Sequence, residues 1–365
     1  MLSLTIDQSS DADQRIDKFL KKYLREAPLG GIYKWLRTGK VKVNRKKVEQ
    51  TYRIELGDTI EIWLTDEEIS GFQEKSSKTL SVQPSNLPIS KLSILFEDEY
   101  LMIVNKSAGI NVHPWDHKTK EVSLIELVQD YLGERYNTLS YKPALVHRID
   151  RDTSGCIMIA KEKQTLEKLL DLLQHEGIEK VYHAIVVGTP LKPRDTIRAR
   201  LLRIEDAQDE AKVRVDPEGQ EAITHYSLLK KIAQKQETQG RINFSKGVYK
   251  NIHNWEQISS DDEVRSFSEI FQANIRDKYT LIECKIETGR MHQIRVHMAS
   301  IGIPVLWDKA YGDKWENSFA KRSLGIHRQL LHARSLALIH PRTGSQIYIE
   351  APYQEDMLNM LNGSL

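Results

Sequence analysis

Asp150 stands in the stretch Leu145–Lys161, LVHRIDRDTSGCIMIAK, where His147 and Arg148 precede it and Asp152, Thr153, Ser154 and Gly155 follow. A short apolar approach, a polar turn and the apolar run Cys156 to Ala160 describe a strand that stops, turns and resumes. Such a turn holds a carboxylate rigidly at a sheet edge or on the floor of a cleft. A carboxylate so held can serve as a nucleophile or as one half of a buried ion pair. Asp152 adds a third reading, a glycosidase-like acid and base pair, but its place beside Thr153 and Ser154 suits it better to capping the turn. His292 and His297 suggest a metal site; yet five residues apart they fall on different helix faces, with no carboxylate at ligand spacing. Structural hydrogen bonding is expected of them, and no metal.

The elements that must position Asp150 belong to a chain of 365 residues, long enough for one large and one small domain with a substantial core. Its 53 Lys and Arg stand against 51 Asp and Glu, a net charge of +2, so a uniformly basic coat is excluded and an anionic partner must be met by local patches. Cys156 and Cys284 are the only cysteines; far apart and without metal-type spacing, they argue against a disulfide framework and for a reducing compartment. No apolar run approaches the roughly 18 residues of a membrane span. The start MLSLTIDQSSDADQR has no signal-peptide pattern, and a cytoplasmic protein is expected.

Residues 1–66 read as a small αβ module. Ile16, Phe19, Leu20, Tyr23 and Leu24 share one helical face, with lysines on the other. After a break at Pro28, Gly30 and Gly31 the pattern gives a second helix stopped near Gly39, a strand through Val41 and Val43, a turn, and a closing strand after Gly57 and Asp58. Arg37, Lys40, Lys42, Arg45, Lys46, Lys47 and Arg53 form the strongest basic run of the chain, opposed by Glu49 alone. Concentrated Lys and Arg on two helices and a hairpin favour phosphate-backbone contacts, against the plainer reading of a solvated face.

Residues 67–91, rich in Glu, Ser, Lys and Pro, read as a linker that leaves the front module tethered and mobile. Residues 92–365 then mix strands and helices in an α+β domain. Two strands flank Glu97 to Glu99, a capping box of Ser123 and Glu126 opens a helix with Leu124, Leu127, Val128, Tyr131 and Leu132 on its face, and Leu166, Leu169, Leu170 and Leu173 mark another helix with core leucines. KVYHAIVVG is a strand carrying Tyr182, and residues 198–224 read as hairpin material. The weakly patterned residues 231–277 read as an insertion. The segment holding Arg295 has a period ambiguous between strand and helix.

Taken in order, VNKSAGINVHP, VHRIDRDTSG, KVYHA, ETGRMHQIRVH, QLLHA and HP are similar to the RluA-type family of RNA pseudouridine synthases, from about Leu92 to the C-terminus apart from the insertion. The front module, with RIDKFL, RTGKVKVN and GDTI, resembles the S4-type RNA-binding module, departing from it in Asn44-Arg45 where an Asn-Gly turn is common. The resemblance implies a core of mixed, mostly antiparallel sheet with flanking helices. It implies Asp150 as nucleophile, Arg295 as its ion-pair partner, and Tyr182 as the ring packed on the target base. Arg148 would fill the gap left by a flipped nucleotide, with Ile149 and Leu331 as apolar pocket walls. Arg37, Lys42, Arg45, Lys46 and Lys47 would hold the RNA.

The implied reaction moves uracil from an N1 to a C5 glycosidic bond, with no cofactor. It needs an ionised carboxylate to attack C1′ of the ribose or C6 of the base, a state that a neighbouring arginine favours, and both atoms remain open. Tyr182 is the available group to help remove the C5 proton. The substrate is expected to be structured RNA, of the 23S-type large ribosomal subunit, from which the nucleotide must be extruded, and the enzyme a monomer. A tRNA substrate, or a non-catalytic RNA-binding or ribosome-assembly protein, are the alternatives.

Overall fold

In the computed structural model, which describes residues 1–73, 92–114, 121–204, 212–232 and 278–363, the front module takes shape from its apolar spacing. β1 (Leu2–Thr5) leads into α1 (Ile16–Tyr23), which buries Ile16, Phe19 and Leu20. Pro28 precedes α2 (Leu29–Thr38), which ends on Gly39 at φ +76, the left-handed cap that glycine adopts without strain. The expected break narrows to Pro28 alone: Gly30 and Gly31 lie inside α2, and a Cβ on Gly31 would stand 3.3 Å from the Pro28 ring.

β2 (Val41–Val43) and β3 (Thr59–Ile62) pair antiparallel, in the order β1-β3-β2. Asn44 and Arg45 both have positive φ, 49 and 64, and Val43 and Lys46 exchange hydrogen bonds of 2.9 and 2.8 Å around them. That is a two-residue turn with both central residues left-handed, the geometry an Asn-Gly pair would fill. Asn44 anchors it by donating to Asp58 at 2.7 Å and accepting from the Thr59 N–H at 2.9 Å.

Two expectations for this region are corrected. Asp66–Gln73 forms α3 with Ile69 buried in the same core as α1 and α2, so the first part of the expected linker is helical; residues 74–91 lie outside the described residues. Nor is the module only tethered. The buried Asp11 carboxylate accepts from Thr138 Oγ1 (2.8 Å), Leu139 N–H (3.0 Å), Ser140 N–H (2.7 Å) and Ser140 Oγ (2.6 Å). These residues share one compact unit, Met1–Ile103 with His113–Val146 and Met158–Asp171; the other comprises Val104–Val112, His147–Ile157 and Leu172–Leu365. This division does not follow chain order, as boundaries at 1–66 and 92–365 would.

Further along come β4 (Ile94–Glu97), β5 (Leu101–Lys106), α4 (Leu124–Leu132), β6 (Ala144–Leu145), β7 (Ser154–Ala160) and α5 (Lys163–Gln174). The capping box of α4 forms, with the Ser123 N–H and hydroxyl donating to Glu126 at 2.8 and 2.6 Å. Of its expected face Leu124, Val128 and Leu132 are buried and Tyr131 is exposed, while Ile125, outside that face, is buried too. The leucines of α5 are not a common core: Leu169 is buried, whereas Leu170, one residue and about 100° further round, is exposed.

The second unit contains β8 (Ile178–Val187), β9 (Arg194–Ile204), β10 (Lys212–Val215), β11 (Gln220–Ile232), β12 (Tyr279–Ile286), α6 (Gln293–Ser300), α7 (Lys314–Ser323), β13 (Leu331–Ile339), β14 (Gln346–Glu350) and α8 (Glu355–Asn362). Its strands run in the order β10-β9-β11-β12-β8-β13, antiparallel throughout, with β14 also on β13. The start of β7 lies parallel to β13, with Ser154 opposite His332 and Gly155 opposite Ala333. The fold is α+β with a mixed, mostly antiparallel sheet, as expected. Of the expected insertion 231–277, Lys231 and Ile232 continue β11 and the rest lies outside the described residues.

The segment of ambiguous period is α6. Gln293 to Met298 are all buried and Val296 packs with Leu201, Val213 and Ala222. A helix covered all round shows no amphipathic stripe, which is why its period was undecided. Gly155 fixes the other critical junction: at φ +112 its missing Cβ would stand 2.2 Å from the Ala333 carbonyl oxygen. Gly155→Ala must therefore part β7 from β13, and the urea midpoint is expected to fall by an amount equivalent to about 3 kcal/mol or more.

Candidate active site

Asp150 closes a tight turn, its carbonyl accepting from the Thr153 N–H at 3.1 Å. The turn is held from several sides. Lys106, almost fully buried, donates to the carbonyls of Ser107, Ile110 and Arg151 at 2.8–2.9 Å. Burial pulls its ammonium down to about 7, against the pull of Asp152 and Asp150. Gln329 donates to Thr153 Oγ1 at 3.0 Å, and Arg328 to the carbonyls of Asp152, Gln329 and Leu331 at 3.1–3.4 Å. Asp356, at the start of α8, grips Arg328 through both oxygens at 2.6 and 2.7 Å.

From α6, Arg295 reaches the turn with its guanidinium divided between two carboxylates. Nε and Nη2 donate to Asp308 at 2.6 and 2.9 Å, and Nη1 donates to Asp150 Oδ2 at 3.0 Å. Asp308 has no exposed surface, and its Oδ1 also accepts from the N–H groups of Ala310 and Tyr311. Burial alone would lower Arg295, but hydrogen bonding and charge from Asp308, then Asp150, outweigh it and hold the guanidinium above its ordinary value.

Two donors meet one oxygen of Asp150, with an imidazole nitrogen nearby. Arg295 Nη1 lies at 3.0 Å from Oδ2, Gln329 Nε2 at 3.4 Å and His292 Nε2 at 3.9 Å. Among the described residues nothing donates to Oδ1. The carboxylate, held through Oδ2, lines a pocket together with Arg148, Ile149, Tyr182, Arg290, His292 and Leu331, among others.

The sequence-derived set Asp150, Tyr182, Arg295, Arg148, Ile149 and Leu331 is brought together in this pocket. Arg148 is exposed, whereas Ile149 and Leu331 are buried walls. Arg37, Lys42, Arg45, Lys46 and Lys47 lie in the other unit, on the end of α2 and the β2–β3 side of the front module. Arg45 to Lys47 are exposed around the left-handed turn, and Lys42 Nζ lies 5.9 Å from the Trp63 ring.

Two buried groups have shifted protonation. Burial, followed by the charge of Lys180, brings the His147 imidazole down to about 3. Tyr182 is held as a neutral phenol, because burial and then Asp150 push it well above its ordinary value. His292 and His297 are hydrogen-bonded, to Tyr311 at 2.8 Å and Thr224 at 2.9 Å. Sequence reading missed Asp308, Gln329 and the clamp of Lys106, Arg328 and Asp356. The signal for Asp308 was an Asp in WDKAYG, thirteen residues beyond Arg295.

Residues 100–300 match the profile of the RNA pseudouridylate synthases, and residues 14–60 that of the S4 domain. The chain belongs to the RNA pseudouridylate synthase family. The family and enzyme class implied by the motifs are therefore borne out, with an S4 domain in front. Ribosomal large subunit pseudouridine synthase C of Buchnera aphidicola is 32% identical over 96% of this chain and 93% of that protein. The protein of that name in Escherichia coli K12 is 30% identical over 99% of this chain and 95% of that one. Human RNA Pseudouridylate Synthase Domain Containing 4 shares the fold, with a TM-score of 0.52 at 20% identity over 78% of this chain and 97% of that one.

The ion-pair geometry makes Asp308 the support of the whole arrangement. Asp308→Ala leaves Arg295 buried with a single partner, a loss expected to cost about 3–5 kcal/mol and to take turnover with it. Asp308→Asn keeps oxygen and volume and is expected to lose less on both counts, as chemical denaturation and rate measurements on the two variants will show.

Proposed function

We propose that this enzyme converts uridine to pseudouridine in large-subunit ribosomal RNA, with Asp150 as the attacking carboxylate. The observation that carries the reading is a carboxylate held through Oδ2 by Arg295 in a pocket whose walls include Tyr182, Ile149 and Leu331. The reaction breaks the N1–C1′ bond, forms a C5–C1′ bond and moves one proton from C5 to N1. Atoms are conserved and nothing is oxidised or reduced, so residues of this chain suffice.

Asp150 Oδ1 attacks C1′ or C6, and the ring of Tyr182 carries the base as it turns. Arg295 and Gln329 keep the carboxylate aimed while the uracil exchanges its bond, which is preorganisation rather than new binding. Arg148 at the pocket mouth takes the space of the extruded nucleotide. Arg37, Lys42, Arg45, Lys46 and Lys47 contact phosphates and set where the RNA lies without reading its sequence.

The large-subunit substrate is supported by the names of the relatives that span nearly the whole chain. Cytoplasmic action is supported by the two buried cysteines, neither of them in a disulfide. No helix among the described residues is long and apolar enough to cross a membrane.

Asp150→Asn is expected to reduce pseudouridine formation more than about 10⁴-fold with RNA affinity within about two-fold, since base-independent phosphate contacts supply most of the binding. Pseudouridine mapping of total RNA from cells carrying that variant should lose modification in large-subunit rRNA. Retained turnover, or a loss confined to tRNA, would overturn the reading.

A further inference from the structure

We propose that His292 is a positioning residue for Asp150: a neutral imidazole whose Nδ1 accepts from the Tyr311 hydroxyl and whose Nε2–H points at Asp150 Oδ2. It joins Arg295 and Gln329 in occupying that oxygen, so that Oδ1 alone is left to react. This deepens the reading above and rests on Asp150 being the reacting group.

The backbone shows that the side chain is deliberately placed. His292 begins α6 at φ 54, in the left-handed region that non-glycine residues seldom adopt. Strain of this kind persists where the surroundings over-determine it, and it clusters at functional sites. Here it turns the imidazole into the pocket, between Tyr311 on one side and Asp150 on the other.

The hydrogen-bond sequence assigns the tautomer. The Tyr311 hydroxyl oxygen accepts from the Val213 backbone N–H at 2.9 Å and lies 2.8 Å from His292 Nδ1. With Nδ1 unprotonated, the Tyr311 proton goes to it and every group in the line is satisfied. With Nδ1 protonated, the hydroxyl would accept twice, and the Nε2 lone pair would face the Asp150 carboxylate at 3.9 Å. Lone pair against anion is repulsive; N–H against anion is attractive. Tyr311 cannot readily turn aside, because the Arg295 guanidinium lies over its ring at 5.1 Å and its own N–H is bound to Asp308 at 3.0 Å.

Burial lowers the imidazole from its ordinary value, in keeping with a neutral donor. At 3.9 Å the contact with Asp150 is longer than a hydrogen bond. It shortens when the base enters and water leaves, as such contacts do on substrate binding.

The experiment combines two substitutions with a spectroscopic signature. Gln can place an N–H near the Nε2 position, whereas Asn tolerates the left-handed backbone but reaches only to Nδ1. His292→Gln should keep kcat within about ten-fold of the parent. His292→Asn should lose about 10²-fold in kcat with KM nearly unchanged. Circular dichroism and thermal melting identify folded protein, and a loss equal in both folded variants overturns the proposal. The tautomer is read on the full, RNA-free chain labelled with ¹⁵N-histidine, His292 being assigned by its absence in His292→Gln. The expected proton is on Nε2, and Tyr311→Phe, which removes the donor to Nδ1, should shift the Nδ1 resonance while the proton stays on Nε2. A proton on Nδ1 in the parent, or no change in Tyr311→Phe, contradicts the proposal. Because this readout uses no RNA, its failure is distinct from failure of the assigned reaction.

Discussion

A single guanidinium shared by two carboxylates is the constraint around which the candidate pocket is built. Arg295 spends Nε and Nη2 on Asp308, which leaves Nη1 directed at Asp150. Because the guanidinium is planar and its donors are fixed relative to one another, gripping one edge sets the direction of the rest. A lysine would supply the charge without the direction. Two anions around one buried cation would be unfavourable if left bare, and the backbone N–H groups of Ala310 and Tyr311 offset this at Asp308.

The remainder of the second unit keeps three distant segments in register for that contact. α6 brings Arg295, the residues after Trp307 bring Asp308, and the turn before β7 brings Asp150. The turn is fixed by backbone more than by its own side chains: Gly155 allows β7 to lie against Ala333, while Lys106 and Arg328 bind carbonyls beneath and beside it. Asp356 extends the chain of support to the C-terminal helix. Rigidity of this kind is what the proposed nucleophile needs to meet its target without reorganising.

Features that depend on neighbours in sequence were legible from the sequence. The apolar face of α1, the glycine stop of α2, the capping box of α4 and the strand carrying Tyr182 each rest on spacing within a few residues. Motif order carried the family, and through it Asp150, Arg295 and the pocket walls, which the structure brings to one place. What escaped depends on contacts across the fold. Asp308 is an ordinary turn aspartate until Arg295 is placed beside it, and Asp11 is one until residues 138–140 close over it. α3 was hidden by a Glu- and Ser-rich composition in which Ile69 is buried in the core and Phe72 packs against it. The leucines of α5 mislead in the opposite sense, since an apolar residue slightly off the buried stripe is no different in sequence from one on it.

The most direct measurement of the central claim is a crystal structure of the enzyme with an RNA stem-loop of large-subunit rRNA carrying 5-fluorouridine at the modified position. Fluorine at C5 cannot leave as a proton, so the reaction stops with the base still in the pocket. The account predicts Asp150 Oδ1 on the ribose or the base, Oδ2 still held by Arg295, and Arg295 still forked onto Asp308. A structure in which Arg295 leaves Asp150 for the RNA, or in which a carboxylate other than Asp150 faces the nucleotide, contradicts it.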